Sequence, residues 1–324
     1  MNLLNTYICK ICGNNKGNRI YHAKEMMLGL KHEFVYFECS ECECLQIADI
    51  PENIGDYYPS HYYSFKKVKN KWLKNLSDSL VKQKTKASIL PLPHLAGFLF
   101  TEIVPSKHVK FLKGIINNVN DRILDVGCGN GQKFLFPLFH AGFKNVEGCD
   151  PFLEKSEVDA HGPNLYKKEL TKMNGEWDVI TFNHSFEHLP NPSETLDAAY
   201  NLLADNGYCV IRIPTVSSFA WKHYKVDWFQ LDAPRHFFLH SVKSIQLLAE
   251  KSGFSLVKKV SDSTHHQFTI SERYKNGKTL QERNYNSIWG RLVHVGNKFR
   301  YSWEAKKLNN ENRGDQAVFY LQKN

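Results

Sequence analysis

The stretch that most constrains this chain is Ile123-Leu-Asp-Val-Gly-Cys-Gly-Asn-Gly131. An aliphatic run ends in Asp125, and glycines follow at 127, 129 and 131 before a helix-forming segment opens at Gln132. Without Cβ atoms, such a turn lets a ligand lie against the backbone. A strand feeding a tight turn and then a helix belongs to a parallel sheet with crossover helices. The sequence after position 120 keeps that alternation. Strands are predicted over 122–126, 145–149, 177–182 and 208–213, with late strands at 254–260 and 316–322. Helices are predicted over 132–141, 192–204 with Pro192 in the first turn, and 241–252 with Ser241 as N-cap and Gly253 as stop.

The ligand can be narrowed from the residues around the turn. The spacing is not the six-residue dinucleotide fingerprint, and no Gly-Lys-Ser/Thr follows to cradle phosphates. Asp125 at the strand end suits a cationic amino group better than a pyrophosphate. One strand later, Glu147-Gly-Cys-Asp150 places an acid about 20 residues past the glycines, where it can chelate both hydroxyls of a ribose. Two acids and a glycine turn suit a ligand with an amino acid end, a ribose and no phosphate. S-adenosylmethionine fits that description.

The chain resembles class I S-adenosylmethionine-dependent methyltransferases on three stretches. Asp-Val-Gly-Cys-Gly-Asn-Gly is similar to their motif I. Asn183-His-Ser-Phe-Glu-His-Leu-Pro-Asn-Pro192 is similar to their His-x-x-Glu-His-x-x-x-Pro segment after the fourth strand. Asp205-Asn-Gly207 matches the turn before their fifth strand. The resemblance implies an α/β fold: a Rossmann-like seven-stranded methyltransferase sheet in a three-layer αβα arrangement, mostly parallel with an antiparallel last strand. It implies that Asp125, Gly127, Gly129 and Gly131 contact the methionine end of the cofactor and that Asp150 holds the ribose. Cys128 and Pro151 flank these contacts. Glu169 and Leu170 fall where adenine is met, and Asn183 and His184 beside the sulfonium. Glu187 and His188 open the next helix.

A second signal lies at the front. Cys9-Lys-Ile-Cys12 and Cys39-Ser-Glu-Cys42 are two CxxC pairs separated by residues 13–38. Each pair grips a metal from one tight turn, and four thiolates close a tetrahedral zinc shell with no open position, so the site is structural. Gly13 supplies the permissive backbone of the first turn, whereas Glu43 stands at the matching place in the second. Cys44 could compete with Cys42 as a ligand. Cys128, Cys149 and Cys209 read as small core residues. Paired CxxC, then Leu45-Gln46, then a Tyr-rich segment with Tyr57, Tyr58, His61, Tyr62 and Tyr63 is similar to the front of bacterial methyltransferases of sugar and cell-surface polysaccharide pathways. Those tyrosines either close over the cofactor or pack the front segment onto the sheet.

Sugar C-methyltransferases carry a Glu-His pair before the helix that here starts at Ser241. His236 keeps the His, and Arg235 replaces the Glu. Carbon deprotonation needs cooperating bases, whereas a hydroxyl needs one base in reach. His236 is therefore the expected catalytic base, with His184 and His188 as the other candidates. Arg235 is expected to read an anionic group on the acceptor.

These features divide the chain into residues 1–65 (zinc-binding module and aromatic segment), 66–118 (basic helical linker, with helices over 66–88 and 106–118) and 119–324 (methyltransferase domain, with 262–313 as an insertion before the last strand). The formal net charge is +9 and the pI about 9.0. Eight Lys lie in 66–86 against Asp78 alone, and 272–313 carries ten Lys or Arg against four Glu. The partner expected is a small-molecule acceptor, sugar-linked and anionic. Peripheral contact with an anionic membrane is compatible with this charge. No apolar run of about 18 residues is present, and residues 1–10 lack the pattern of a secretory signal, so a cytoplasmic setting is expected. Two alternatives stand beside a sugar O-methyltransferase. An RNA base methyltransferase with a zinc module would suit the pI, but no Asn-Pro-Pro-Tyr-like element follows the fourth strand. A non-catalytic zinc adaptor on a methyltransferase fold is opposed by the intact Asp125, Gly127, Gly129 and Asp150. The acceptor's identity, O- versus N- or C-methylation, and the oligomeric state are not legible.

Overall fold

The computed structural model describes residues 7–58, 85–90, 109–158, 161–282 and 288–323, the side chains of 288–294 excepted. The basic helix expected over 66–88 lies outside the described residues apart from a helical turn at 85–89. His61, Tyr62 and Tyr63 lie outside them as well.

The chain forms two compact units. One comprises Met1–Pro59, Phe186–Ser193 and Arg212–Phe319; the other comprises Ser60–Ser185, Glu194–Ile211 and Tyr320–Asn324. The described strands make two sheets. The smaller is four-stranded, in the order β1 (Arg19–Lys24), β2 (Glu33–Glu38), β3 (Leu45–Ile47), β9 (Phe238–Leu239). All three of its pairings are antiparallel. The larger has seven strands in the order β10 (Phe254–Ser261), β11 (Gln316–Lys323), β8 (Leu203–Pro214), β7 (Trp177–Asn183), β4 (Ile123–Val126), β5 (Val146–Cys149), β6 (Asn164–Tyr166). The last strand in the chain inserts between the fifth and sixth of this sheet. Strand β4 pairs in parallel with both β5 and β7, and β5 with β6. This is the Rossmann-like seven-stranded sheet that the resemblance implies.

The physical reasons are local. Strand β4 is covered on both faces, and all four of its residues are buried; a central parallel strand of that kind reads as an unbroken apolar run. Strand β11 likewise buries Gln316 to Leu321. Around the sheet, α1 (Leu135–His140) buries Leu135, Leu138 and Phe139, and α2 spans Pro192–Leu202. Next come α3 (Phe219–Tyr224) and α4 (Val242–Lys251). The Ser241 hydroxyl accepts from the Ser244 amide, and the Ser244 side chain answers the Ser241 amide, so both ends of a capping box are present. Gly253 at φ 85° stops the helix. The 262–313 region contributes α5 (His266–Thr269), α6 (Ser271–Lys275) and a long α7 (Ile288–Asn310).

Three local expectations are corrected. The helix foreseen over 106–118 is, within the described 109–118, only a single turn at Lys110–Leu112; Gly114 at φ 86° breaks it. The helix foreseen from Gln132 begins at Leu135, after the glycine turn has tightened through residue 134. Helix α2 ends at Leu202 and β8 begins at Leu203, so Asp205-Asn-Gly207 lies within the strand's bounds. The turn survives there as a kink. Asn206 sits at φ 62°, and a Cβ at Gly207 would stand 2.8 Å from the Ala204 carbonyl oxygen.

Candidate functional site

The cofactor candidates in the second unit gather around the end of β4. Gly127, Gly129 and Gly131 take φ values of 73°, 52° and 65°, a region that costs L-residues about 1–2 kcal/mol each. Gly127 has a steric reason too, because a Cβ there would meet the Ser185 Cβ at 2.4 Å. The Ser185 hydroxyl donates to the Val126 carbonyl, so β4 and the segment after β7 are stitched under the turn. The Gly127 amide donates to the Cys149 carbonyl at 2.8 Å, tying the turn to the end of β5. A Cβ at Gly148 would strike the Cys128 Sγ at 2.6 Å.

Both expected acids are buried and held. Asp150 accepts the Gly129 amide on Oδ2 and the Phe152 amide on Oδ1, each at 2.9 Å. Asp125 accepts the Thr181 hydroxyl on Oδ1 at 2.7 Å. Burial pushes the Asp125 carboxyl up to about 7; the Thr181 hydroxyl opposes this and the Asp150 charge adds to it. The folded chain thus holds this proton more tightly than the unfolded chain, whose Asp titrates near 3.9. The stability tied to Asp125 is full below about pH 4 and is lost as pH rises through about 7. Thermal melts of wild type and Asp125→Asn should therefore diverge over that window, with the wild type losing stability relative to the variant. Parallel curves would refute it.

Of the other candidates, Pro151 is exposed beside Asp150, while Leu170 is buried and Glu169 reaches Lys172 at 3.3 Å. His184 has φ 58°. A non-glycine residue held there carries backbone strain of the kind that gathers at functional positions. Asn183 closes β7 just before it. Sequence analysis missed Thr181 and Ser185. Thr181 sits one strand away from Asp125 in parallel register, which no spacing rule reveals.

The first unit carries the cysteines. The Sγ atoms of Cys9, Cys12, Cys39 and Cys42 all lie within 4.8 Å of one another, with Cys9–Cys42 and Cys12–Cys39 at 3.5 Å. Thiolates about 2.3 Å from a tetrahedral zinc stand about 3.8 Å apart, so the set fits the ion. The two turns are alike. The Gly13 amide donates to the Cys9 carbonyl at 2.8 Å and the Glu43 amide to the Cys39 carbonyl at 3.0 Å. Gly13 and Glu43 share positive φ, 79° and 59°. The Gln46 amide donates to the Cys9 Sγ at 3.1 Å, an outer contact of the kind that orients a ligand. Cys44 is buried away from this group, with its Sγ 3.9 Å from His240 Nδ1.

The third set of candidates also lies in the first unit. His236 is buried, and its Nδ1 is 2.7 Å from the Gln230 carbonyl. His188 Nδ1 is 2.8 Å from the Arg235 carbonyl and 3.2 Å from the Tyr58 hydroxyl. The two rings meet edge to face at 4.7 Å. His236 Nε2 lies 3.9 Å from Glu187 Oε1 and 3.9 Å from Asp232 Oδ2. Burial pushes His236 down to about 4, the His188 ring adding to this and the two carboxylates resisting it, so the ring is neutral at pH 7. The Tyr36 hydroxyl donates to the His236 carbonyl at 2.9 Å.

The expectation for Arg235 is overturned. Its guanidinium is fully buried and its donors are taken inside the unit. They go to both carboxylate oxygens of Asp232, to Glu25 at 3.1 Å and to the Tyr57 carbonyl at 3.3 Å. Glu25 also accepts the amides of Leu28 and Leu30 at 2.7 and 3.0 Å. A guanidinium enclosed by two carboxylates does not read an acceptor. Tyr57 is buried with its hydroxyl 2.9 Å from His32 Nδ1. With Tyr58 on His188, these two tyrosines pack within their own unit.

The chain belongs to the family of class I S-adenosylmethionine-dependent methyltransferases: the family model described as "Methyltransferase domain" matches residues 96–259. It is 31% identical over 103 residues to the ubiquinone biosynthesis O-methyltransferase of Psychrobacter arcticus, a match covering 28% of this chain and 39% of that protein. The corresponding protein of Psychrobacter cryohalolentis matches with the same identity and coverage. The chain thus spans about two fifths of the length of these relatives. Among solved structures, it is similar to magnesium protoporphyrin IX methyltransferase of Synechocystis PCC 6803 with bound SAH, at 13% identity and a TM-score of 0.43 over 85% of this chain and 100% of that one. A possible histamine N-methyltransferase of Thermotoga maritima gives 19% identity and a TM-score of 0.41, over 63% and 83%. No described helix is long and apolar enough to cross a membrane.

Proposed function

We propose that the protein transfers a methyl group from S-adenosylmethionine to a hydroxyl of a small polar acceptor, a sugar, nucleotide-sugar or polysaccharide unit, and that Cys9, Cys12, Cys39 and Cys42 hold one structural zinc. The observation that carries the first half is the cradle around Asp125, Gly127, Gly129 and Asp150. It presents two buried carboxylates and bare backbone to a ligand with a cationic end and a diol. Asp125 is assigned the ammonium and Asp150 the ribose hydroxyls. Gly131, Cys128 and Pro151 flank the cofactor, with Glu169 and Leu170 at the adenine and Asn183 and His184 at the sulfonium. Oxygen as the accepting atom is supported by the Psychrobacter relatives, which are O-methyltransferases, and a sugar by the order of the CxxC pairs and tyrosines. The sulfonium is already reactive, so alignment supplies most of the acceleration, about 7–11 kcal/mol in well-oriented systems. An imidazole among His184, His188 and His236 serves the acceptor side, where a base contributes roughly a hundred- to ten-thousand-fold.

Asp150→Ala tests the cofactor half. Each charge-assisted hydrogen bond to a ribose hydroxyl is worth about 1.5–3 kcal/mol, so calorimetry should show affinity for S-adenosylmethionine falling at least tenfold. Circular dichroism would confirm that the variant is folded. An unchanged affinity would sink the assignment. The acceptor half is tested by screening nucleotide-linked sugars for transfer of a labelled methyl group.

A further inference from the structure

A second group in the first unit has the composition and geometry of a metal site. Glu187, His188 and His236 each offer one ligand atom, and these atoms lie within 4.8 Å of one another. We infer that they bind a divalent transition cation, distinct from the zinc at the four cysteines.

Two features of the rings carry this. A backbone carbonyl can only accept, so a ring nitrogen facing one carries the proton. His236 Nδ1 faces the Gln230 carbonyl at 2.7 Å, and His188 Nδ1 faces the Arg235 carbonyl at 2.8 Å. In each ring Nε2 is therefore the nitrogen left to meet a metal. Fixing the tautomer by Nδ1–H to a carbonyl is what metal-binding histidines do. The second feature is the carboxylate. Glu187 Oε1 lies 3.9 Å from His236 Nε2, a gap too long for a direct hydrogen bond and one that an ion between the two atoms would bridge at ordinary coordination distances of about 2.0–2.2 Å. The backbone of the group is pinned as well: the Phe237 amide donates to the Glu187 carbonyl at 2.8 Å, and the Tyr36 hydroxyl to the His236 carbonyl at 2.9 Å.

The neighbouring charges permit a cation. Arg235 is the adjacent positive group, and it is enclosed by Asp232 and Glu25. Asp232 Oδ2 adds a further carboxylate oxygen 3.9 Å from His236 Nε2. Two imidazoles and one carboxylate select first-row divalent ions over Mg2+ or Ca2+, and three protein ligands leave positions open. A hydroxyl taken into an open position loses its proton more readily. That consequence rests on the methyltransferase reading above, whereas the binding of the ion does not. With the ion bound, His236 and His188 act as ligands and His184 is the base candidate outside the set.

The test uses full-length protein with its zinc retained, titrated with Co2+. Cobalt at His and Glu gives weak visible bands without the intense thiolate charge-transfer absorption that cysteine ligation produces, so the two sites are told apart. The expected result is one saturable Co2+ per chain of the weak-band type in wild type, with Glu187→Gln and His236→Ala each weakening it at least tenfold. Absence of saturable weak-band binding in wild type overturns the inference, as does equal binding by the folded Glu187→Gln variant. S-adenosylmethionine affinity, measured on the same samples, separates the two failures. Intact cofactor binding without Co2+ removes only the cation site, and Co2+ binding without cofactor binding removes only the methyltransferase reading.

Discussion

Cys39→Ala should lose the zinc and unfold the structure built around residues 7–58. A structural zinc contributes apparent binding free energies of about 10–16 kcal/mol in small zinc domains, and a whole protein is stable by only about 5–15 kcal/mol. Each cysteine turn is closed by two backbone bonds, Gly13 to Cys9 and Cys9 to Asn14 in the first, Glu43 to Cys39 and Cys39 to Cys44 in the second, and the Lys251 ammonium reaches the Ile11 carbonyl at 2.7 Å; a few such bonds, about 0.5–1.5 kcal/mol each, do not replace the metal. Metal analysis of wild type purified under reducing conditions should give about one zinc per chain, and the variant far less. Its melting should become broad and begin at lower temperature. Cys44→Ala is the matched control: its Sγ lies 3.9 Å from His240 Nδ1 and is not one of the four sulfurs of the set, so the variant should keep the metal. Full zinc in Cys39→Ala, or none in wild type, would remove the site.

Arg235→Ala should lower stability by about 3–5 kcal/mol, the cost of leaving buried charge uncompensated. Glu25 is fully buried, and the Asp232 side chain is 15% exposed; both lose their counter-ion together. At this chain length the loss corresponds to roughly 4–7 °C in Tm. A pH signature accompanies it. Burial tends to raise Asp232, but the Arg235 charge outweighs that and holds it below the usual carboxylate range. In wild type the stability tied to Asp232 is present above the unfolded carboxylate pKa and is lost as pH falls through the depressed folded value. Without Arg235, the largest cause opposing burial is gone and only the two histidines still lower Asp232, so that dependence weakens. A variant that melts like wild type and differs only in its Michaelis constant for the acceptor would restore the anion-reading role.

What was legible in the sequence is what one element carries by itself. Helix α4 was found with its ends because its signals are local: a Ser cap and a Gly stop. The glycine turn at 127–131 was legible for the same reason. Pairings between distant residues were not. Strand β3 has three residues and β9 has two, too short for any periodicity, and each exists because the other bonds to it. Arg235 was misread because its partner Glu25 is 210 positions away; an Arg in a polar loop looks like a ligand reader until its counter-charges are seen. Glu187 and His236 likewise meet only in the folded chain. Glu43 was legible in part. Its place invites Gly, and the φ of 59° found there shows the turn's demand was read correctly although the residue breaks the rule.

The pairing of β3 with β9 also bears on how this protein must be made. Leu45 bonds across to Leu239, 194 positions later. At about 5–20 residues per second of synthesis, roughly 10–40 s pass between the appearance of the two strands. Throughout that interval four thiols and one bare strand edge are outside the ribosome without their finishing partner, in the state most open to oxidation and edge-to-edge association. Early capture of zinc would close the thiols within the first 44 residues and leave only the edge to wait. Cells starved of zinc should therefore accumulate this chain as aggregate during synthesis, while protein already folded before the starvation persists.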